Sequence, residues 1–352
     1  MTDFDPNAAA DADTGIYGLP YTEDQAALVY IPVPWEVTTS YGGGTSGGPA
    51  AILEASRQVD LYDLEVLKPY EAGLFIRPQS EEVRAWNVEG KALAQKIIEV
   101  FGVIDGDKPL QAALKRVNEL GEQLNKWVFD STESVLKAGK IPAVVGGDHS
   151  VPMGAFQAVA KRHPGFGILH FDAHSDTRIA YEGFTWSHAS IMHNALSRIP
   201  EVGKIIQVGI RDFCEQEIDY CTSQGARVEI FFDRALADAK FAGTPWLKLA
   251  EKIVSGLPKE VWVSFDIDGL DPVLCPHTGT PVPGGLSFHE ACAVLTALVR
   301  SGRRIIGFDL NEVAPSLNAA DEWDANVGAR MLYKMTALTL SSQGKAKFRQ
   351  DA

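Results

Sequence analysis

The sequence predicts an α/β fold in which helices cover both faces of a mostly parallel sheet of about eight strands. Three observations predict it. Short apolar runs rich in β-branched residues recur along the 352 residues, helical patterns fill most of the intervals between them, and three of the runs end in clusters of acid and histidine. In such a sheet the carboxyl ends of the strands form the crevice where ligands bind.

Strands are expected at 28–32, 72–76, 141–145, 167–171, 204–210, 228–232, 261–267 and 304–310. The longest helix is expected at 109–138, where Leu110, Leu114, Val117, Leu120, Leu124, Trp127 and Val128 recur at spacings of three and four, the mark of a core-facing stripe. No internal repeat and no Pro/Ser-rich linker divides the chain. One domain over 26–345 is therefore expected, behind an N-terminal segment, 1–25, whose first 20 or so Ala/Asp-rich residues read as a mobile or partner-binding tail.

Composition narrows the class. With 46 acidic against 32 basic residues the formal charge is −14, which argues against nucleic acid and favours solubility and cationic substrates. The four cysteines, Cys214, Cys221, Cys275 and Cys292, show no Cys-x-x-Cys spacing, so neither a disulfide framework nor a zinc ribbon is indicated and a reducing cytoplasm fits. Residues 1–15 lack a basic start followed by an apolar stretch, and no run approaches the length of a membrane span. The Gly-rich run from Tyr41 to Pro49 has neither the Gly-Lys-Ser/Thr ending of a phosphate loop nor a Gly-x-Gly-x-x-Gly register. It reads as a loop entering a helix, with Pro49 near the first turn.

The chemistry concentrates in three motifs: Gly-Gly-Asp-His-Ser at 146–150, Phe-Asp-Ala-His-Ser-Asp at 171–176, and Ser-Phe-Asp-Ile-Asp-Gly-Leu-Asp-Pro at 264–272. Asp172, His174 and Asp176 lie close enough on one loop to converge on one cluster. Asp266 and Asp268, two apart on a segment read as extended, point to one face. With His149 they make six ligands, two imidazoles and four carboxylates, without a thiolate. Such a set suits Mn²⁺, Ni²⁺, Co²⁺ or Fe²⁺, and its charge matches two divalent ions held as in two-metal hydrolases. His170, on the strand face opposite Phe171, is expected to be a buried, hydrogen-bonded histidine; His163, His193, His277 and His289 are expected to be structural or exposed.

These motifs resemble the signatures of the ureohydrolase family, which includes arginase, agmatinase, guanidinobutyrase and guanidine hydrolase. The similarity spans roughly 26–340 and takes in Asn311-Glu312-Val313-Ala314-Pro315. It implies an arginase-like three-layer sandwich and hydrolysis of a guanidino C–N bond by a metal-bridging hydroxide. By position, His149 and Asp176 would hold one ion, His174 and Asp268 the other, with Asp172 and Asp266 bridging. Asp176 would also pass a proton to the leaving nitrogen, Glu312 would grip the guanidinium, and His188 would shuttle protons or contact substrate. The resemblance further implies that Thr38, Thr39 and Tyr41 lie near the mouth of the site and, with Trp186, are candidates for substrate contact.

Departures from the family pattern bear on the substrate. The run from Thr177 to Trp186 lacks the polar stretch that reads the amino-acid head group in arginases, Ala189 replaces a glycine common in agmatinases, and Phe184 and Trp186 add aromatic bulk. Together with 34–41, Phe-Thr-Trp-Ser-His-Ala-Ser is most similar to the guanidine hydrolase branch, which shares ancestry with metformin hydrolase subunits. The resemblance thus implies a compact substrate, namely guanidine, an alkylguanidine or a biguanide such as metformin, with two divalent ions, Ni²⁺ first and Mn²⁺ second. The alternatives are an agmatinase or guanidinobutyrase and, in another class, a non-catalytic or regulatory subunit, against which the intact ligand set argues. The family implies a homo-oligomer, trimer or hexamer, or a hetero-oligomer with a homologous subunit.

Overall fold

The computed structural model describes residues 4–10, 14–318 and 320–349. In chain order the strands are β1 (Leu28–Val33), β2 (Val66–Leu67), β3 (Leu74–Ile76), β4 (Ile141–Gly146), β5 (Gly167–Phe171), β6 (Lys204–Ile210), β7 (Val228–Phe232), β8 (Glu260–Asp266), β9 (Arg304–Asn311) and β10 (Lys347–Phe348). The helices are α1 (Gly48–Ser56), α2 (Glu81–Ile98), α3 (Lys108–Lys137), α4 (Met153–Ala160), α5 (Ile191–Arg198), α6 (Glu215–Ser223), α7 (Asp233–Phe241), α8 (Trp246–Ser255), α9 (Phe288–Arg300) and α10 (Trp323–Ser342). Eight strands form one sheet in the order β3-β1-β4-β9-β8-β5-β6-β7, and every neighbouring pair in it is parallel.

Because side chains alternate along a strand, each run feeds two cores. Leu28, Tyr30, Leu169, Val263 and Phe308 pack on one face with residues of α1, α8, α9 and α10. Val29, Ile31, Ile168, Trp262 and Ile306 pack on the other with α2, α3, α4 and α5. The result is the three-layer α/β architecture expected. Along α3, Val117, Leu120, Leu124 and Val128 are buried, whereas Leu110, Leu114 and Trp127 are half-buried at the margin of the same core. Asp107 caps this helix by accepting the Leu110 N–H at 3.0 Å, and Pro109 occupies the first turn.

Within that helical layer α4 comes close to α3 at Gly154. A Cβ there would lie 2.1 Å from the Asn125 carbonyl oxygen and 2.5 Å from the Phe129 nitrogen, both backbone atoms of α3. Gly154→Ala is therefore expected to lower stability by about 1–3 kcal/mol, the usual cost of overpacking, measured as a shift in urea midpoint at unchanged slope.

Three expectations change. Ala72 lies in a 3₁₀ turn, Pro69–Ala72, and the strand starts only at Leu74, after Gly73 at φ 83°. A second, two-stranded antiparallel sheet pairs β2 with β10; two residues per strand carry no readable periodicity. The N-terminal segment is not free throughout. Ile16, Tyr17 and Leu19 are buried in the core, and the Tyr17 hydroxyl donates to the Ala329 carbonyl at 3.2 Å. Of the remaining tail, residues 1–3 and 11–13 lie outside the described residues. Among the described residues no helix is long and apolar enough to cross a membrane, and the four cysteines are free.

Candidate metal centre

The motifs converge because the strands before them are neighbours. β4, β9, β8 and β5 lie side by side in the sheet. His149 follows β4, Glu312 follows β9, Asp266 ends β8 and Asp172 follows β5, so all four reach the same carboxyl edge. This is the position at which open α/β sheets build ligand sites.

Two donor groups share one carboxylate. His149 Nδ1 lies 3.0 Å from Asp172 Oδ2, 3.3 Å from Asp176 Oδ2 and 3.2 Å from Asp266 Oδ2. His174 Nδ1 lies 3.3 Å from Asp172 Oδ1 and 3.1 Å from Asp268 Oδ2. Asp172 belongs to both groups. Asp268 departs from the extended placement expected: it sits in a 3₁₀ turn, Ile267–Gly269. Asp266 Oδ1 holds that turn by accepting the Asp268 N–H at 2.8 Å. The turn still delivers Asp268, whose Oδ1 accepts the Ala173 N–H at 3.0 Å while Oδ2 faces His174.

Electrostatics test whether these residues fit a pair of cations. No lysine or arginine pairs with the carboxylates of Asp172, Asp176, Asp266 or Asp268 among the described residues. Burial, then the Asp172 charge, pushes Asp176 up to about 8. Burial, then the charges of Asp268 and Asp172, raises Asp266 well above the carboxylate range. His149 moves well above its ordinary value despite burial, because Asp172, Asp176 and Asp266 surround it; His174, between Asp268 and Asp172, is pushed up to about 12. So many mutually repelling carboxylates in a desolvated pocket call for positive charge. Two divalent cations match both the charge and the oxygen-and-nitrogen donor set.

A sign follows for the metal-free protein. Asp176, pushed up to about 8, and His174, pushed up to about 12, hold protons at pH 7, and ligands must lose them to bind a cation. Mn²⁺ or Ni²⁺ binding at pH 7 is expected to release protons, and affinity to rise with pH. Titration calorimetry in buffers of different ionisation enthalpy measures this directly; a proton count of zero would contradict the reading.

Supporting residues hold the ligands in place. His170, fully buried, takes a hydrogen bond from the Gln207 amide on Nδ1 at 3.0 Å and presents Nε2 to Asp172 Oδ2 at 2.8 Å. With Nδ1 accepting, Nε2 carries the proton, so His170 orients Asp172 instead of offering a free ligand nitrogen. His149 Nε2 meets the Ser264 hydroxyl at 2.9 Å, which donates to Asp309 Oδ1 at 2.8 Å. Asp309 also accepts from Trp262 Nε1 and Asn311 Nδ2. Arg211 donates to the carbonyls of Asp268, Leu270, Val282 and Gly209, clamping the loop after β8. Asp309, Gln207 and Arg211 lie outside the three sequence motifs.

Glu312 is buried, with φ 62°, a left-handed conformation uncommon outside glycine. Asp176 shares that rarity at φ 55°. Glu312 Oε1 accepts the His149 N–H at 2.9 Å. A Cβ built on Gly279 would lie 3.6 Å from the other oxygen, 3.7 Å from the Thr39 methyl and 3.5 Å from the Tyr41 carbonyl oxygen. Thr39, the Tyr41 backbone and Glu312 thus surround the space beside Gly279, while the Tyr41 ring is 74% exposed. Thr38 and Thr39 are buried with unpartnered hydroxyls. His188 sits in the turn His188–Ser190 that leads into α5, and its buried Nδ1 has no partner. Burial, then the charge of His174, lowers it to about 4, so it is neutral at pH 7.

The structure places Trp186 against α3. Its ring packs on Gly121 of α3, where a Cβ would lie 2.7 Å from its Cδ1, and the Arg198 guanidinium lies 4.7 Å from its centroid. Phe184 is wholly buried in the core on that face of the sheet. Asn118 of α3 accepts the Thr185 N–H at 2.9 Å and donates to the Gly183 carbonyl at 3.2 Å, and the Asn194 amide donates to the Thr185 carbonyl at 2.8 Å. The segment is tied to two helices and its aromatic bulk is spent on the core.

Comparison with known proteins agrees with this geometry. A sequence model described as "Arginase family" matches residues 26–337. An N(1)-aminopropylagmatine ureohydrolase of Thermus thermophilus is 31% identical over 298 residues, 84% of this chain and 85% of its own length. An agmatinase of Bacillus anthracis is 31% identical over 305 residues, 86% of this chain and 88% of its own. The proclavaminate amidino hydrolase of Streptomyces clavuligerus superposes with a TM-score of 0.72 at 22% identity, over 96% of this chain and 100% of that one. At that identity the likeness shows the fold.

Proposed function

Since the chain belongs to the arginase family, we propose that it hydrolyses the guanidino C–N bond of an aminoalkylguanidine of the agmatine class, releasing urea and an amine. The observation that carries the reaction is the shared cluster, in which Asp172 joins the His149 and His174 donor groups beneath a free Glu312 oxygen. His149, Asp172, His174, Asp176, Asp266 and Asp268 would hold two divalent cations. When bound, such a pair supplies Lewis acidity and makes water a nucleophile near neutral pH.

The remaining roles belong to the chain. Glu312 receives the guanidinium N–H groups and fixes the planar carbon over the cluster. As water oxygen bonds to that carbon and the C–N bond breaks, both water protons end on the departing nitrogen, which leaves as an ammonium. Asp176 is placed to carry a proton along that route, and neutral His188, with a free nitrogen, serves proton transfer or substrate contact. Thr38, Thr39 and the Tyr41 backbone form the rim. Residues 26–345 act as one catalytic domain, working in the cytoplasm as a closed homo-oligomer; the complete ligand set speaks against a non-catalytic subunit.

The tail of the substrate is read from two supports. The relatives that match most of the chain are named for agmatine and aminopropylagmatine, and of the two aromatics on which the compact pocket rested, Phe184 is buried in the core and Trp186 packs on Gly121 of α3. A second reading, guanidine, an alkylguanidine or metformin, keeps the likeness of 184–190 to the guanidine hydrolase branch, and the Ni²⁺ preference goes with it. The donors serve Mn²⁺ equally well. Initial rates of urea and amine release with Ni²⁺ and with Mn²⁺ across agmatine, aminopropylagmatine, guanidinobutyrate, guanidine, methylguanidine and metformin decide the matter. Agmatine-class compounds are expected to lead in kcat/KM; guanidine or metformin leading by tenfold would move the assignment to the compact branch.

A further inference from the structure

Helix α2 lies outside the donor cluster, yet one of its lysines holds the loop that borders Glu312. Glu36, 5% exposed, is the hub. One of its oxygens pairs with Lys91 Nζ. The other accepts the Ser46 N–H at 2.9 Å and faces the Thr45 hydroxyl at 3.4 Å. Its own N–H donates to Asn87 Oδ1 of α2 at 2.7 Å. Burial alone would push Glu36 up, but Lys91 and the Ser46 N–H outweigh it and hold the carboxyl below its usual range.

On its other side the same loop packs against Gly279 and Val313. A Cβ on Gly43 would lie 3.4 Å from Lys91 Nζ, one on Gly42 would lie 2.6 Å from the Gly279 carbonyl oxygen, and one on Gly48 would lie 2.3 Å from the Val313 carbonyl oxygen. The backbone from Thr38 to Gly48 is therefore pressed between α2 and the two segments that carry Gly279 and Glu312. Thr39 and the Tyr41 carbonyl, near the start of this span, face the same side of Gly279 as the second oxygen of Glu312. Shifting the loop moves the wall of the guanidinium site without touching a metal ligand.

We propose that Lys91 is a positioning residue: through Glu36 it fixes the 38–48 loop against Glu312 and thereby sets the affinity for the guanidino substrate. This rests on the hydrolase reading given above. A buried carboxylate left without its cation is strongly destabilising, whereas removal of both charges is nearly neutral, so the pair can be dissected. Lys91→Met frees the loop and strands Glu36; Lys91→Arg keeps the pair; Glu36→Gln with Lys91→Met removes both charges and preserves folding if the single variant fails.

The experiment is hydrogen exchange over 38–48 in the metal-loaded full chain, combined with steady-state kinetics on agmatine. In Lys91→Met and in the double variant, exchange over 38–48 is expected to quicken and KM to rise about tenfold, with kcat within about twofold and two ions retained, since small misplacements of binding groups carry costs of this order. Lys91→Arg should restore both readouts. Unchanged exchange and unchanged KM, with only a lower melting temperature, would overturn the proposal and leave the pair a structural contact. If the wild-type protein turns over no guanidino compound, the hydrolase reading fails separately, and exchange over 38–48 still decides whether Lys91 holds the loop.

Discussion

Replacing Asp172 by Asn is expected to leave the fold standing and abolish both metal retention and turnover, with kcat falling about 10³-fold or more, because parts that act as a unit lose nearly the whole rate together. Asp172 is fully buried. Its Oδ2 faces His149 Nδ1 at 3.0 Å and His170 Nε2 at 2.8 Å, and its Oδ1 accepts the His174 N–H at 2.5 Å. Burial opposes its charge, but His170, His149 and His174 hold it well below the usual carboxylate range. Asparagine keeps the volume but removes the shared charge, and its amide sets a donor against the His170 N–H. Elemental analysis should find fewer than two ions per chain with a near-native circular dichroism spectrum. Two retained ions and wild-type kcat would refute the sharing of Asp172 between the groups. Asp268→Asn, which touches only the His174 group, should lose one ion.

The second large effect is at Glu312. Glu312→Gln is expected to keep both ions and to lower kcat/KM by about 10²–10³-fold, the range for losing charge-assisted hydrogen bonds in a desolvated site. Burial, then the charge of Asp148, raises the Glu312 carboxyl well above its usual value; an arriving guanidinium reverses that balance. Glutamine can still accept the His149 N–H that Glu312 accepts at 2.9 Å, so the variant isolates charge from architecture. Kinetics with metal analysis on the same sample check it; unchanged kcat/KM would remove Glu312 from the guanidinium site.

Most of the sheet was legible because its strands are buried on both faces and read as uninterrupted apolar runs. The cluster of candidate ligands was legible because each occupies a fixed offset after such a run. Side-chain directions in loops were not legible. Nothing in 177–186 says which way Trp186 turns; the signal lay elsewhere, in Gly121, an otherwise unneeded glycine within the 30-residue helix α3 that makes room for the indole. Asp268 was read as extended because period-two reasoning cannot see a 3₁₀ turn that the preceding Asp266 side chain itself holds. Asp309 was passed over although a carboxylate inside the apolar run 304–310 is costly to bury without partners. Its bonds to Ser264, Trp262 and Asn311 supply them.

The central claim is that one shared carboxylate cluster runs a two-cation guanidino hydrolysis. It is tested most directly by urea release from agmatine as chelator-treated protein is titrated with Mn²⁺, and in parallel with Ni²⁺. The account predicts no urea at zero equivalents and activity that reaches its plateau only at two ions per chain. Full activity in the stripped protein, or a plateau at one ion, would contradict it.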